Sequence, residues 1–106
     1  MSGQLDAVIH PMHRLKVCAM LESAGSVEMS VIRDAVGLSP SALSKQVGAL
    51  VDAGYVRQER SRGDSRRIWL TLTDEGRNAY RCHVTALREI VATQATSAEA
   101  GSPQQP

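Results

Sequence analysis

At 106 residues the chain has room for one modest hydrophobic core and not for two, so a single domain is expected. Apolar residues make up 42% and charged residues 22%, near globular averages, yet with no Phe, one Trp and two Tyr the core has to be aliphatic. No apolar run approaches the roughly 20 residues that span a bilayer, and no basic segment followed by an apolar stretch opens the chain, so no membrane partner is expected and the protein reads as cytoplasmic.

The formal net charge of +1 hides an uneven distribution. Residues 1–38 carry three basic and four acidic side chains, as do residues 72–106. Between them, residues 39–71 hold Lys45, Arg57, Arg60, Arg62, Arg66 and Arg67 against Asp52, Glu59 and Asp64. That local cationic excess is the footprint expected of a chain that meets a polyanion.

Helical spacing begins after Pro11, with Met12, Leu15, Cys18, Ala19 and Glu22 on one line and Leu21 nearby, and Pro11 suits a first helical position. Gly25 ends this helix, and Val27-Glu28 can form a short extended piece. Ser30 is a candidate cap for a second helix whose stripe is Val31, Ile32, Ala35 and Val36, and Gly37 closes it. Leu38 then separates Gly37 from Ser39-Pro40, an N-cap serine followed by a residue with no N–H to leave unpaired. Two helices joined by so tight a turn predict a helix-turn-helix.

The third helix, from Pro40 to about Ala53, sends Leu43, Val47, Leu50 and Val51 to one side and Ser41, Ser44, Lys45 and Gly48 to the other. A small, polar, cationic face is what close approach to base edges requires. An interior glycine costs about 1 kcal/mol against alanine and gains nothing on a merely wet surface, so Gly48 also points to close approach by another molecule or backbone. Tyr55 to about Arg60 and Arg66 to Leu72 alternate as two strands around Ser61-Arg62-Gly63-Asp64-Ser65, a hairpin with an arginine-rich tip. Thr73 can cap a last helix, with Asp74 and Glu75 at its positive end and Tyr80, Val84, Leu87 and Val91 as its stripe, Ile90 beside them. From about Thr93 the chain turns polar, and residues 94–106 are expected to form a disordered tail.

Three stretches together resemble the multiple-antibiotic-resistance regulator (MarR-like) family over roughly Pro11 to Val91. They are Leu38 to Ser44 leading into the third helix, Leu50-Val51-Asp52-Ala53-Gly54-Tyr55-Val56 leaving it, and Asp64-Ser65-Arg66 followed by Leu72-Thr73-Asp74-Glu75-Gly76. The resemblance implies a mainly α fold with a small β-hairpin wing, the winged helix-turn-helix, over residues 1–93. It also implies a transcriptional regulator that binds double-stranded DNA, with the helix at about 40–53 in the major groove and the wing at about 55–72 on the minor groove or backbone. On this reading Ser39, Ser41, Ser44, Lys45, Arg62, Arg66 and Arg67 meet DNA, and Asp64 orients Arg66. Full-size members are longer, with extra helices for dimerisation and ligand pockets. This chain is similar to the shorter relatives, whose homodimer uses the first and last helices, here through Tyr80, Val84, Leu87 and Val91. A small-molecule effector is a further partner the resemblance allows.

Two other readings keep part of this picture. A winged helix can serve as a protein-interaction module, which a basic helix face and wing argue against. Cys18 and Cys82, with His10, His13 and His83, raise a metal or redox sensor, but their spacing is not that of a preformed zinc site and buried thiols suit a reducing compartment. No nucleophile elbow, phosphate-cradling loop or carboxylate pair is present, so neither an enzyme nor a resident cofactor or metal is expected.

Overall fold

The computed structural model describes residues 3–101, with side chains left out for Ser65 and residues 96–101. Its elements run α1 (Met12–Ala24), β1 (Ser26–Glu28), α2 (Met29–Val36), α3 (Pro40–Asp52), β2 (Val56–Ser61), β3 (Asp64–Leu72) and α4 (Asp74–Gly101). The order and types match the winged helix-turn-helix expected from sequence.

The short extended piece becomes a full member of the sheet. β1 pairs antiparallel with β3, Val27 opposite Leu70, which gives a three-stranded sheet in the order β1-β3-β2. Long-range pairing of this kind leaves no local sequence signal. Val27, Val56, Leu70 and Leu72 turn inward from the sheet and meet Val17, Cys18 and Leu21 of α1, Ile32 of α2, and Leu43, Val47 and Leu50 of α3. The core is aliphatic, as the shortage of aromatics demanded.

Local details differ in several places. Pro11 is the N-cap rather than the first residue of α1, and Met12 is 66% exposed, because the buried line of that helix runs through Val17, Cys18 and Leu21. Ser30 lies inside α2, which starts at Met29 behind Glu28 without a side-chain cap. β1 leads straight into this helix and leaves no room for a separate capping turn. Val31 and Ala35 face outward, so α2 holds to the core through the buried Ile32, with Met29 and Val36 packed half-buried against it. Val51 is also exposed, narrowing the inner face of α3 to Leu43, Val47 and Leu50.

Capping at the other junctions follows expectation. The Ser39 hydroxyl accepts from the Ala42 N–H at 3.2 Å, and the Thr73 hydroxyl accepts from the Gly76 N–H at 3.0 Å. α3 closes with the Tyr55 N–H donating to the Leu50 carbonyl and the Gly54 N–H to the Val51 carbonyl, both at 2.9 Å, while Gly54 takes a φ of +82°. α4 runs on to Gly101, beyond the expected limit near Thr93. Extending an existing helix through an Ala-containing stretch avoids the cost of nucleation, so polarity alone did not end it. Residues 102–106 of the expected tail lie outside the described residues.

α4 returns across α1, and Glu22 joins the two. Arg77 Nε donates to its Oε1 at 3.0 Å and Arg81 Nε to its Oε2 at 2.7 Å. These two guanidinium groups hold the Glu22 carboxyl below the usual carboxylate range, the Arg81 hydrogen bond contributing most.

Candidate nucleic-acid interface

Ser41, Ser44 and Lys45 are exposed along α3, opposite the buried Leu43, Val47 and Leu50. Ser39 is exposed at the head of the helix, with its hydroxyl engaged as the cap and 3.5 Å from that of Ser41. A Cβ added at Gly48 would meet nothing within 4 Å, so no packing inside the chain explains that glycine. Its place on this face leaves room for an external surface to approach the helix backbone.

β2 is buried only at Val56, and Arg57 to Arg60 are exposed in succession, so the hairpin stands clear of the body. The strands reach further than the sequence pattern suggested, Ser61 pairing with Asp64, and the turn shrinks to Arg62-Gly63 with Gly63 at φ +84°. Between Arg60–Ile68 and Ser61–Asp64 the register slips, a bulge that re-aims Arg66 and Arg67.

Asp64 organises that bulge. Its Oδ1 accepts from the Arg66 N–H at 3.0 Å and lies 3.5 Å from Arg66 Nε, while its Oδ2 lies 3.7 Å from Arg67 Nε. Arg66 is nevertheless 93% exposed, so the carboxylate orients the guanidinium without covering it. Arg67 has a second acidic neighbour in Glu28, at 4.0 Å.

Ser44 and Arg66, far apart in sequence, line one notch of about 220 Å³ between α2, α3 and β3. Glu28 at the end of β1, with Ser30 and Arg33 of α2, completes its polar wall. Sequence reasoning misses the two α2 residues, since Ser30 reads as a cap and Arg33 carries no motif. The available signal is weak, a lone arginine in the last turn of α2. Arg62 stands apart at the hairpin tip.

Along α4, Ala79 and Tyr80 pack on the chain's own core and His83 and Ala86 are buried. Tyr80 is therefore already occupied within its own chain. Val84 and Leu87 are half-buried, and Ile90 and Val91 are 44% and 65% exposed.

The cysteines part company. Cys18 is fully buried, and burial first, then the Asp6 charge, push its thiol up to about 12, so it stays protonated and inert. Cys82 is exposed, contrary to the expectation that both are buried. His83 Nδ1 accepts the Asp6 N–H at 2.9 Å, which directs its own proton to Nε2, 3.4 Å from His10 Nδ1. With one nitrogen accepting and the other donating, His83 has no free lone pair for a metal ion.

A curated relative, the uncharacterized HTH-type transcriptional regulator YwhA of Bacillus subtilis (strain 168), is 32% identical over 92 residues, covering 83% of this chain and 66% of its own length. Among solved structures, the YusO protein from Bacillus subtilis matches with a TM-score of 0.74 and 27% identity over 79% of this chain and 60% of that one. The transcriptional regulator homologue from Pyrococcus horikoshii OT3 shares the fold at a TM-score of 0.78 and 20% identity, over 82% of this chain and 87% of that one. The chain thus spans less than two thirds of the length of each of the first two relatives, and the regulator among them accords with the transcriptional regulator that the resemblance implies. A family match over residues 13–91, from the first turn of α1 well into α4, decides the question: the chain belongs to the winged helix DNA-binding domain family.

Proposed function

We propose that this chain is the DNA-reading part of a transcriptional regulator and binds duplex DNA as a homodimer. α3 lies in the major groove with Ser41, Ser44 and Lys45 toward base edges, Ser39 at its head near a phosphate, and the wing arginines Arg62, Arg66 and Arg67 on the minor groove or backbone. The observation that carries the reading is the exposed Ser41-Ser44-Lys45 face directly opposite a fully buried stripe, beside a hairpin that projects from the body. Arg33 and Ser30, on the same notch as Ser44 and Arg66, add donors toward backbone phosphate, the one carboxylate on that notch, Glu28, lying 4.0 Å from Arg67.

The dimer reading is supported by α4. Leu5 and Ile90 are exposed on the cleft between the N-terminal segment and this helix, Val91 is exposed on the adjoining face of α4, and a two-fold mate would cover them. One winged domain reads a half-site, and pairing fixes the half-site spacing.

Selection of bound sequences from random duplex DNA at stated salt tests both parts. Enrichment of a two-fold repeated motif is expected. A pool that stays unenriched while the protein is folded would reject DNA reading, and enrichment of a single half-site would reject the dimer.

A further inference from the structure

The segment Gly3–His10 ties α4 to α3 at two places. Its Asp6 N–H donates to His83 Nδ1 on α4 at 2.9 Å. The Asp6 carboxylate accepts from the Val8 and Ile9 N–H groups at 2.8 and 3.2 Å and from the Tyr55 hydroxyl, just past α3, at 2.6 Å. The second link is indirect and runs through Arg14 of α1, which donates through Nη1 to the Val8 carbonyl at 3.1 Å and through Nε to Gln46 Oε1 in the middle of α3 at 2.9 Å. Ile9 is wholly buried, and a Cβ at Gly3 would fall 2.6 Å from the Ala86 N of α4, so the segment is anchored near both ends although Leu5 and Ala7 between them are exposed.

The seat tolerates His83 in one protonation state only. The ring is wholly buried, and its Nδ1 must keep a lone pair to accept the Asp6 N–H. An imidazolium carries protons on both nitrogens, which would set two donors against each other at Nδ1 and leave the Asp6 N–H without its acceptor. We propose that the N-terminal segment is a proton-released strap, seated while His83 is neutral and detached when His83 takes up a proton, and that detachment loosens the DNA-reading helix it braces at Gln46 and Tyr55. The effect on DNA rests on the proposed function; the release of the strap does not.

The groups acting on His83 fit this direction. Burial and the neighbouring His10 disfavour the imidazolium, and Asp6 opposes them, with the net result that the His83 pKa lies below 6.5. On the other elements that meet Asp6, Cys18 of α1 and Tyr55 after α3 are both pushed up to about 12 and stay neutral throughout. A lowered histidine pKa contributes stability that is complete above 6.5 and lost as pH falls through the folded-state value. The strap therefore holds at neutral pH and opens on acidification.

Imidazole and amide NMR on the full chain, from about pH 7.5 to about pH 5.5, tests the strap without DNA. The expected result is an Nε2–H tautomer at the upper end, and loss of hydrogen-exchange protection at the Asp6, Val8 and Ile9 amides, after correction for intrinsic exchange, in step with His83 protonation. His83→Asn, which keeps an acceptor but does not titrate, should retain protection throughout. Should that variant not fold, the wild-type titration decides by itself. Protection that persists after His83 protonates, or an Nδ1–H tautomer at neutral pH, would overturn the strap. With a labelled random-sequence duplex at fixed salt, parent affinity should fall several-fold on acidification. Added positive charge alone would raise it, so a rise would overturn the link to α3. Absence of binding at both ends of the range would count against DNA reading, while the exchange data would still decide the strap.

Discussion

Gly76, in the first turn of α4, lies against the backbone of Tyr55 so closely that an added Cβ would stand 2.8 Å from the Tyr55 carbonyl carbon and Cα. The same carbonyl accepts the Thr73 N–H at 3.0 Å, and Thr73 Oγ1 donates to the Gly54 carbonyl at 2.6 Å. The end of α3 and the start of α4 are thereby locked backbone to backbone. A Leu-Thr-x-x-Gly signature read from sequence thus has a steric cause, since only glycine admits this approach.

Gly76→Ala should destabilise the fold by about 1–3 kcal/mol, because the obstructing atoms are hydrogen-bonded main chain that cannot swing aside as a side chain would. Urea unfolding measures it. A variant as stable as the parent would mean that the junction relaxes at no cost.

Gly48→Ala should act in the opposite sense on stability. Its surroundings are open, so alanine should stabilise the free protein by about 1 kcal/mol through helix propensity. DNA affinity should drop, because the added methyl stands where the groove surface approaches. Thermal unfolding and fluorescence anisotropy on one preparation separate the effects, and a variant gaining stability at unchanged affinity would move the DNA-facing surface off this part of α3.

Removing charge from the wing or the notch should reduce salt dependence. Arg62→Ala and Arg33→Ala should each lower the slope of log affinity against log salt by about 0.9 for every phosphate no longer neutralised, weakening all sequences alike. Lys45→Ala should instead relax discrimination at one base position, costing about 1–3 kcal/mol there. Identical slopes in parent and Arg33→Ala would leave the notch without a phosphate.

The dimer is best tested at Val91, whose 65% exposure makes Val91→Glu harmless to the isolated fold. Half-buried Leu87 would confuse folding with association. Sedimentation equilibrium should show Val91→Glu shifted from dimer to monomer, and its binding to two-fold sites should weaken more than its binding to half-sites. A parent protein that is monomeric at micromolar concentration with and without DNA would defeat the proposal.

The helix order, the Ser39 and Thr73 caps, the glycine ending α3 and the arginine-tipped hairpin were legible because each depends on residues within a few positions of one another. Periodicity and capping are local, and so is the split of α3 into an apolar and a Ser-Lys face. Tertiary structure alone decided that Val27 completes the sheet against Leu70, that Cys82 is exposed while Cys18 is buried, and that Met12, Val31 and Val51 face solvent. It alone brought Arg33 beside Ser44 and Arg66, and Asp6 between His83 and Tyr55. These outcomes turn on which faces of distant elements meet, and a hydrogen bond spanning 77 residues, such as that from Asp6 to His83, leaves no trace in the spacing of either partner's neighbours.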